Sequence, residues 1–135
     1  RTLMAALLAG DGRIPVHLVT GRGGLRQAAL RLQEKLSAQG RRSHLTDRAN
    51  TTDPGGKDMR LEMPGLFERS LALTMRRDVS EIIMVGGLDE IRAHGLPVDR
   101  LDRVYVCDDN RGRGRQTIRA VKTLTPLNRI QLIEV

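Results

Sequence analysis

Aromatic residues are almost absent from this 135-residue sequence, which has no Trp, one Phe and one Tyr. A core must therefore be assembled from Leu, Ile, Val, Met and Ala. Cysteine is nearly absent too. The single Cys107 excludes an internal disulfide and a Cys-rich zinc site, and it fits a reducing cytoplasm. No apolar run approaches the roughly 18 residues that a membrane-spanning helix needs, so no membrane partner is expected. Acidic charge is in deficit: 16 Asp and Glu stand against 23 Lys and Arg, a net charge of +7. That balance favours anionic partners such as phosphates, nucleic acid or acidic peptides. Much of the excess is Arg, which suits bidentate pairing with phosphate or carboxylate. A solvated Arg-rich surface accounts for the same composition.

The length fits one domain with a two- or three-layer core. Residues 2–9, with Leu3, Leu7 and Leu8, read as a short amphipathic helix of a larger protein's fragment and not as a signal peptide. Residues 14–20 form an apolar run with little alternation, the pattern of a strand covered on both faces. Residues 25–39 place Leu25, Ala28, Ala29, Leu32 and Leu36 on one helical face, with Gly40 as the C′ stop. A second short strand is expected at 42–46, a loop at 48–57 and a short edge strand at 59–63. Pro64 suits the first position of a helix whose buried side carries Leu66, Phe67, Leu71, Leu73 and Met75. Glu81 to Val85 reads as a central strand, Leu88 to Ala93 as a helix stopped by Gly95, and Arg103 to Cys107 as another strand. A basic loop (108–115), a helix (117–124) and a last strand (130–135) complete an alternation that predicts a three-layer α/β fold with a mainly parallel sheet.

The segment with the most chemical content is the turn between the first strand and its helix, Thr20-Gly21-Arg22-Gly23-Gly24. Strand, glycine turn and helix in that order bring backbone N–H groups and a helix N-terminus to one point, which suits a phosphate. A working phosphate-binding loop also needs a Lys for the β/γ-phosphates and a Ser/Thr hydroxyl for Mg²⁺. Leu25 and Arg26 occupy those two places. Arg22 and Arg26 are candidates to replace the lost Lys as phosphate contacts. An ordinary tight turn followed by solvated Arg residues is the alternative.

Gly12-Arg-Ile-Pro-Val-His-Leu-Val-Thr-Gly21 resembles the stretch that introduces the phosphate loop in the central ATPase domain of cyanophycin synthetase, in the Mur ligase superfamily. Gly95-Leu-Pro-Val-Asp-Arg-Leu-Asp-Arg-Val-Tyr-Val106 resembles that family's G-L-G-F-D-R-C-D stretch before a hydrophobic strand. The resemblance spans most of the chain. It implies a P-loop, Mur ligase central-domain-like fold and an ATP-dependent peptide ligase, in which a carboxylate is phosphorylated and an amine attacks the acyl phosphate. It also implies that the rest of the ligase core and a C-terminal domain lie outside these residues. The departures are specific. Leu25 stands at the loop Lys, Arg26 at the loop Thr, and Val85 with Gly86-Gly87 at an acidic metal ligand; Asp108-Asp109-Asn110 lacks the family's Asp-His pair. Losing the ammonium and hydroxyl removes electrostatic stabilisation of phosphoryl transfer.

The expected site is therefore Thr20, Gly21, Arg22, Gly23, Gly24 and Arg26, with Thr46 added by the resemblance, which places hydroxyls there near the phosphates. A strand-end turn at Thr46-Asp47 is the plainer reading. The expected ligand is ATP or another phosphate anion without Mg²⁺, and no catalytic residue is assigned. Expected partners are flanking domains of the same polypeptide or a second subunit, identical or not. His17 reads as a sheet histidine with a hydrogen-bond partner, His44 and His94 as surface residues, and Cys107 as a small buried hydrophobe. A basic module for nucleic acid or acidic polymer, carried by Arg22, Arg26 and Arg111 to Arg115, is the rival reading. It lacks aromatic stacking platforms beside those residues.

Overall fold

The apolar run from Val16 to Gly21 becomes the interior of a six-stranded sheet, buried at every position. The computed structural model of the chain describes residues 14–21, 23–98, 101–108 and 130–134. In chain order they form β1 (Val16–Gly21), α1 (Leu25–Ala38), β2 (His44–Thr46), β3 (Thr51–Thr52), α2 (Leu66–Thr74), β4 (Ile82–Val85), α3 (Leu88–His94), β5 (Arg103–Asp108) and β6 (Ile130–Glu134). The strand order is β3-β2-β4-β1-β5-β6, parallel throughout except for the antiparallel β2–β3 pair.

Strand alternation divides the apolar residues into two cores. On one face Val16, Leu18, Ile82, Met84, Val104 and Val106 pack beneath Leu66 and Leu73 of α2 and Leu88 and Ile91 of α3. On the other, Val19, Ile83, Val85, Tyr105 and Cys107 meet Ala28, Ala29, Leu32 and Leu36 of α1. This is the expected three-layer α/β arrangement with a mainly parallel sheet. The connection from β1 runs outward past β4 to β2 with α1 on one face. The connections from β2 to β4 and from β4 to β5 run the other way with α2 and α3 on the opposite face. The crossover direction thus reverses at β1, and the carboxyl end of such a strand is where open α/β sheets hold ligands. Among the described residues, no helix is long and apolar enough to cross a membrane.

The α1 stop follows the expected chemistry. Gly40 has φ +75°, Arg41 N–H donates to Leu36 O and Gly40 N–H to Ser37 O, the pairing of a Schellman motif. Other expectations need correction. The edge strand is Thr51–Thr52, inside the expected 48–57 loop, and residues 59–63 contribute only the neighbouring bridge Thr52–Asp58. Pro64 precedes the helix, which starts at Leu66 after Gly65. The buried stripe of α2 is Leu66, Arg69, Ser70 and Leu73, the i, i+3, i+4, i+7 series, whereas Leu71 and Met75 fall off it and are exposed. His44 is buried in β2, because β3 and β4 flank that strand. The expected helices at 2–9 and 117–124, and the loop 109–115, lie outside the described residues.

Candidate functional site

The glycine turn stands at the carboxyl end of β1. Gly21 lies against β5 with φ +142°, in a position where a Cβ would be 2.7 Å from the carbonyl carbon of Cys107 and would overlap its oxygen. Gly24 is left-handed (φ 66°, ψ 19°) and forms the N-cap of α1. Its carbonyl accepts from Ala28 N–H at 3.1 Å and lies 3.7 Å from Cys107 Sγ. Among the described residues no side chain caps this end of α1, and no acidic residue stands in its first turn. A fourteen-residue helix therefore presents its positive end, with the N–H groups of its first turn lacking a side-chain acceptor, at the centre of the sheet's carboxyl edge.

The expected site residues take different parts. Gly21, Gly23 and Gly24 lie in or beside the turn, whereas Arg22 lies outside the described residues. Thr20 is fully buried and its Oγ1 has no partner among the described residues. Alternation puts it on the face of Val16 and Leu18, away from α1. Arg26 reaches sideways: its Nη1 donates to Asp47 Oδ2 at 3.0 Å, an exposed ion pair that ties the first turn of α1 to the end of β2. Thr46 Oγ1 is engaged inside the β2–β3 turn, 2.8 Å from Thr51 Oγ1 and 3.0 Å from Asp47 O. Asp47 Oδ1 accepts from Ala49 and Asn50 N–H, so Thr46-Asp47 is a strand-end turn in this structure. The basic residues Arg111, Arg113 and Arg115 lie outside the described residues.

Beside β1, the end of β4 is equally crowded. Gly86 N–H donates to Val19 O at 3.1 Å, and a Cβ on Gly86 would stand 2.6 Å from Leu66 Cδ2 and 3.3 Å from Glu90 Oε1. The strand itself ends in Val85, and the carboxylate beside Gly86 is that of Glu90 in α3.

A second polar cluster, at the opposite end of β1, was not legible from the sequence beyond an unnamed partner for His17. His17 Nε2 lies 2.5 Å from Glu81 Oε2. Glu81 Oε1 accepts from Arg41 Nε at 2.9 Å, and Oε2 pairs with Arg41 Nη2. His17 pairs with Ile83, so Glu81 is its diagonal neighbour two residues back on the same face. Only the strand register reveals that relation. His94, as expected, is exposed.

No known family profile matches the chain, and no curated protein sequence does. Among solved structures it is similar to UDP-N-acetylmuramoyl-L-alanyl-D-glutamate–2,6-diaminopimelate ligase, a Mur ligase, with a TM-score of 0.53 and 12% identity. The similarity covers 95% of this chain and 34% of the ligase, so the chain spans about a third of that protein's length. What the two share at this identity is the fold: the chain has a mainly parallel α/β architecture of the kind found in a Mur ligase.

Proposed function

We propose that the chain is a Mur-ligase-type nucleotide-domain scaffold, similar to the central domain of cyanophycin synthetase, that holds a phosphate anion at residues 20–26 without turning over ATP by itself. One observation carries the reading. The N-terminus of α1, uncapped among the described residues, begins at a left-handed Gly24, directly after the central strand at which the crossovers reverse. Backbone N–H groups and the helix dipole at such a point favour a phosphate without help from a charged side chain. The anion is ATP or another phosphate.

Turnover is a separate requirement, and the residues argue against it. Leu25 supplies no ammonium, Arg26 is paired with Asp47, and β4 ends in Val85 where a metal-binding carboxylate would be needed. Thr46 has its hydroxyl committed to its own turn, and Mg²⁺ is not part of the proposed site. The scaffold would serve by packing against other domains of its polypeptide or against a second subunit.

Calorimetric titration with ATP, with and without Mg²⁺, beside a steady-state phosphate-release assay, tests both halves. Binding without Mg²⁺ dependence and without release is the expected result. Turnover near 1 s⁻¹, an ordinary enzyme rate of about that order, that disappears in Gly24→Asp would overturn the inactive reading. No heat of binding for ATP or inorganic phosphate would overturn the anion site. Submicromolar, salt-sensitive binding of oligonucleotides with no effect of ATP would favour the nucleic-acid module instead.

A further inference from the structure

Beneath the carboxyl half of α1, a cavity of about 550 Å³ opens beside His17 and Tyr105, lined by Lys35, Arg41, Asp102 and Arg103. It lies at the amino ends of β1 and β5, whereas the glycine turn lies at their carboxyl ends. His17 and Gly21 are about 13 Å apart along β1, so the two places are distinct. The volume falls within the range of small-molecule pockets.

The lining is chemically lopsided. Lys35, Arg41 and Arg103 line it beside one carboxylate, Asp102, and the Arg41 charge is already met by Glu81. Asp102 Oδ2 accepts from Val16 N–H at 2.7 Å, an internal task that fixes the start of β1. Arg41 spends Nε and Nη2 on Glu81, which leaves its Nη1 without a partner among the described residues. Neither Lys35 nor Arg103 forms an ion pair with a described residue. At the end of α1, Leu36 O accepts from Gln39 and Arg41 N–H and Ser37 O from Gly40 N–H.

A buried histidine borders the same space. His17 is 4% exposed, and with Nε2 held by Glu81 its Nδ1 is buried without a partner among the described residues. Its ring stands edge-on to Tyr105, the chain's one tyrosine, at 6.2 Å. Leu32 and Leu36 add an apolar wall, so the cavity combines cations with an apolar floor beside the buried His17 ring.

We propose that this cavity is a second ligand site, one that takes a small organic polyanion bearing carboxylate or phosphate groups. Its anionic oxygens meet Lys35, Arg41 and Arg103, its body covers Leu32 and Leu36, and it lies beside the His17 ring. The site is independent of the anion proposed for the glycine turn.

The test uses citrate and fructose 1,6-bisphosphate as probes of the two anion chemistries, with the whole chain. Binding is followed by calorimetry and by the ring-nitrogen NMR resonances of His17, which report this cavity and not the turn. The expected result is saturable binding of at least one probe that shifts the His17 Nδ1 signal. Citrate alone would assign a carboxylate ligand, the bisphosphate alone a phosphorylated one. Lys35→Ala combined with Arg103→Ala is expected to weaken binding about tenfold or more, the scale of one or two charge-assisted hydrogen bonds. Gln39→Glu, an exposed change at the cavity's edge, is expected to weaken it as well and covers the case in which the double variant does not fold. Gly24→Asp should leave it unchanged. Loss of binding in Gly24→Asp with retention in the cavity variants would overturn the proposal. Saturation by neither probe at millimolar concentration, or binding that leaves His17 unshifted, would overturn it too.

Discussion

Gly21 and Cys107 are paired across β1 and β5 so closely that the Gly21 α-carbon has no room for a side chain: the Cβ direction runs into the Cys107 carbonyl. The glycine is thus required by the sheet itself, whether or not an anion sits on the turn that follows. Conformation adds to the constraint, since φ is +142° there.

Gly21→Ala is therefore expected to destabilise the fold by at least about 3 kcal/mol, because two backbones must separate to admit the methyl group. Gly40→Ala is the comparison. Nothing lies within 4 Å of a Cβ at Gly40, and only the left-handed φ of +75° opposes it, for an expected loss of about 1–2 kcal/mol. Urea denaturation of the two variants checks the order, and equal losses would contradict the clash.

The Glu81 carboxylate joins His17 to Arg41 from a side-chain exposure of 6%. Glu81→Gln keeps the shape but removes the charge that both partners face. The expected loss is about 2–3 kcal/mol, below the range for fully buried pairs because Arg41 is partly solvated. Arg41→Ala should cost less than Glu81→Gln, since His17 keeps its partner in that variant. Denaturation midpoints decide between the two orders.

His44 supplies a pH dependence. Burial holds its imidazole below the ordinary pKa of 6.5, and the charges of Asp78 and Asp53 only partly offset that desolvation. The unfolded chain then binds more protons than the folded one between the depressed value and about 6.5, so stability rises with pH across that window. The contribution is fully present above 6.5 and is lost as pH falls towards the folded value. Denaturation curves from pH 5 to 8, approximate bounds that bracket the ordinary histidine range, should show a steeper acid-side decline in the native chain than in His44→Asn.

Arg69 is a buried cation that binds neutral oxygens: Nη1 donates to Thr51 Oγ1 and Nη2 to Leu61 O, each at 2.9 Å. Its fork fastens the edge strand and the following loop to α2. Arg69→Lys is expected to fail as a replacement, because one ammonium on a shorter reach does not span both acceptors. Faster amide exchange at residues 51–62, with β4 unchanged, is the expected signature.

Much of the scaffold was readable from residue order. The unbroken apolar run before Gly21, the helical spacing of Ala28, Ala29, Leu32 and Leu36, and Gly40 after them are local signals, and local backbone preference acts on them in the same way wherever the chain lies. The strand 82–85 and the helix ended by Gly95 were legible on the same grounds. The misread elements are those decided by neighbours. Thr51 and Thr52 become a strand because β2 offers its edge, and His44 is buried because two strands flank it. Leu71 and Met75 stay exposed because Arg69 and Ser70 hold the inward stripe of α2.

The glycines between residues 20 and 25, and the missing ammonium and hydroxyl after them, follow from residue identity alone, since no folding can supply an atom that a side chain lacks. Gly21's contact with Cys107, the ion pair that draws Arg26 to Asp47, and the meeting of His17, Glu81 and Arg41 belong to the tertiary structure. Parallel pairing and crossover direction bring these residues together across separations of 86, 21 and up to 64 positions. No local rule acts over such distances. Strand register sets them, and register is chosen by the packing of both faces at once.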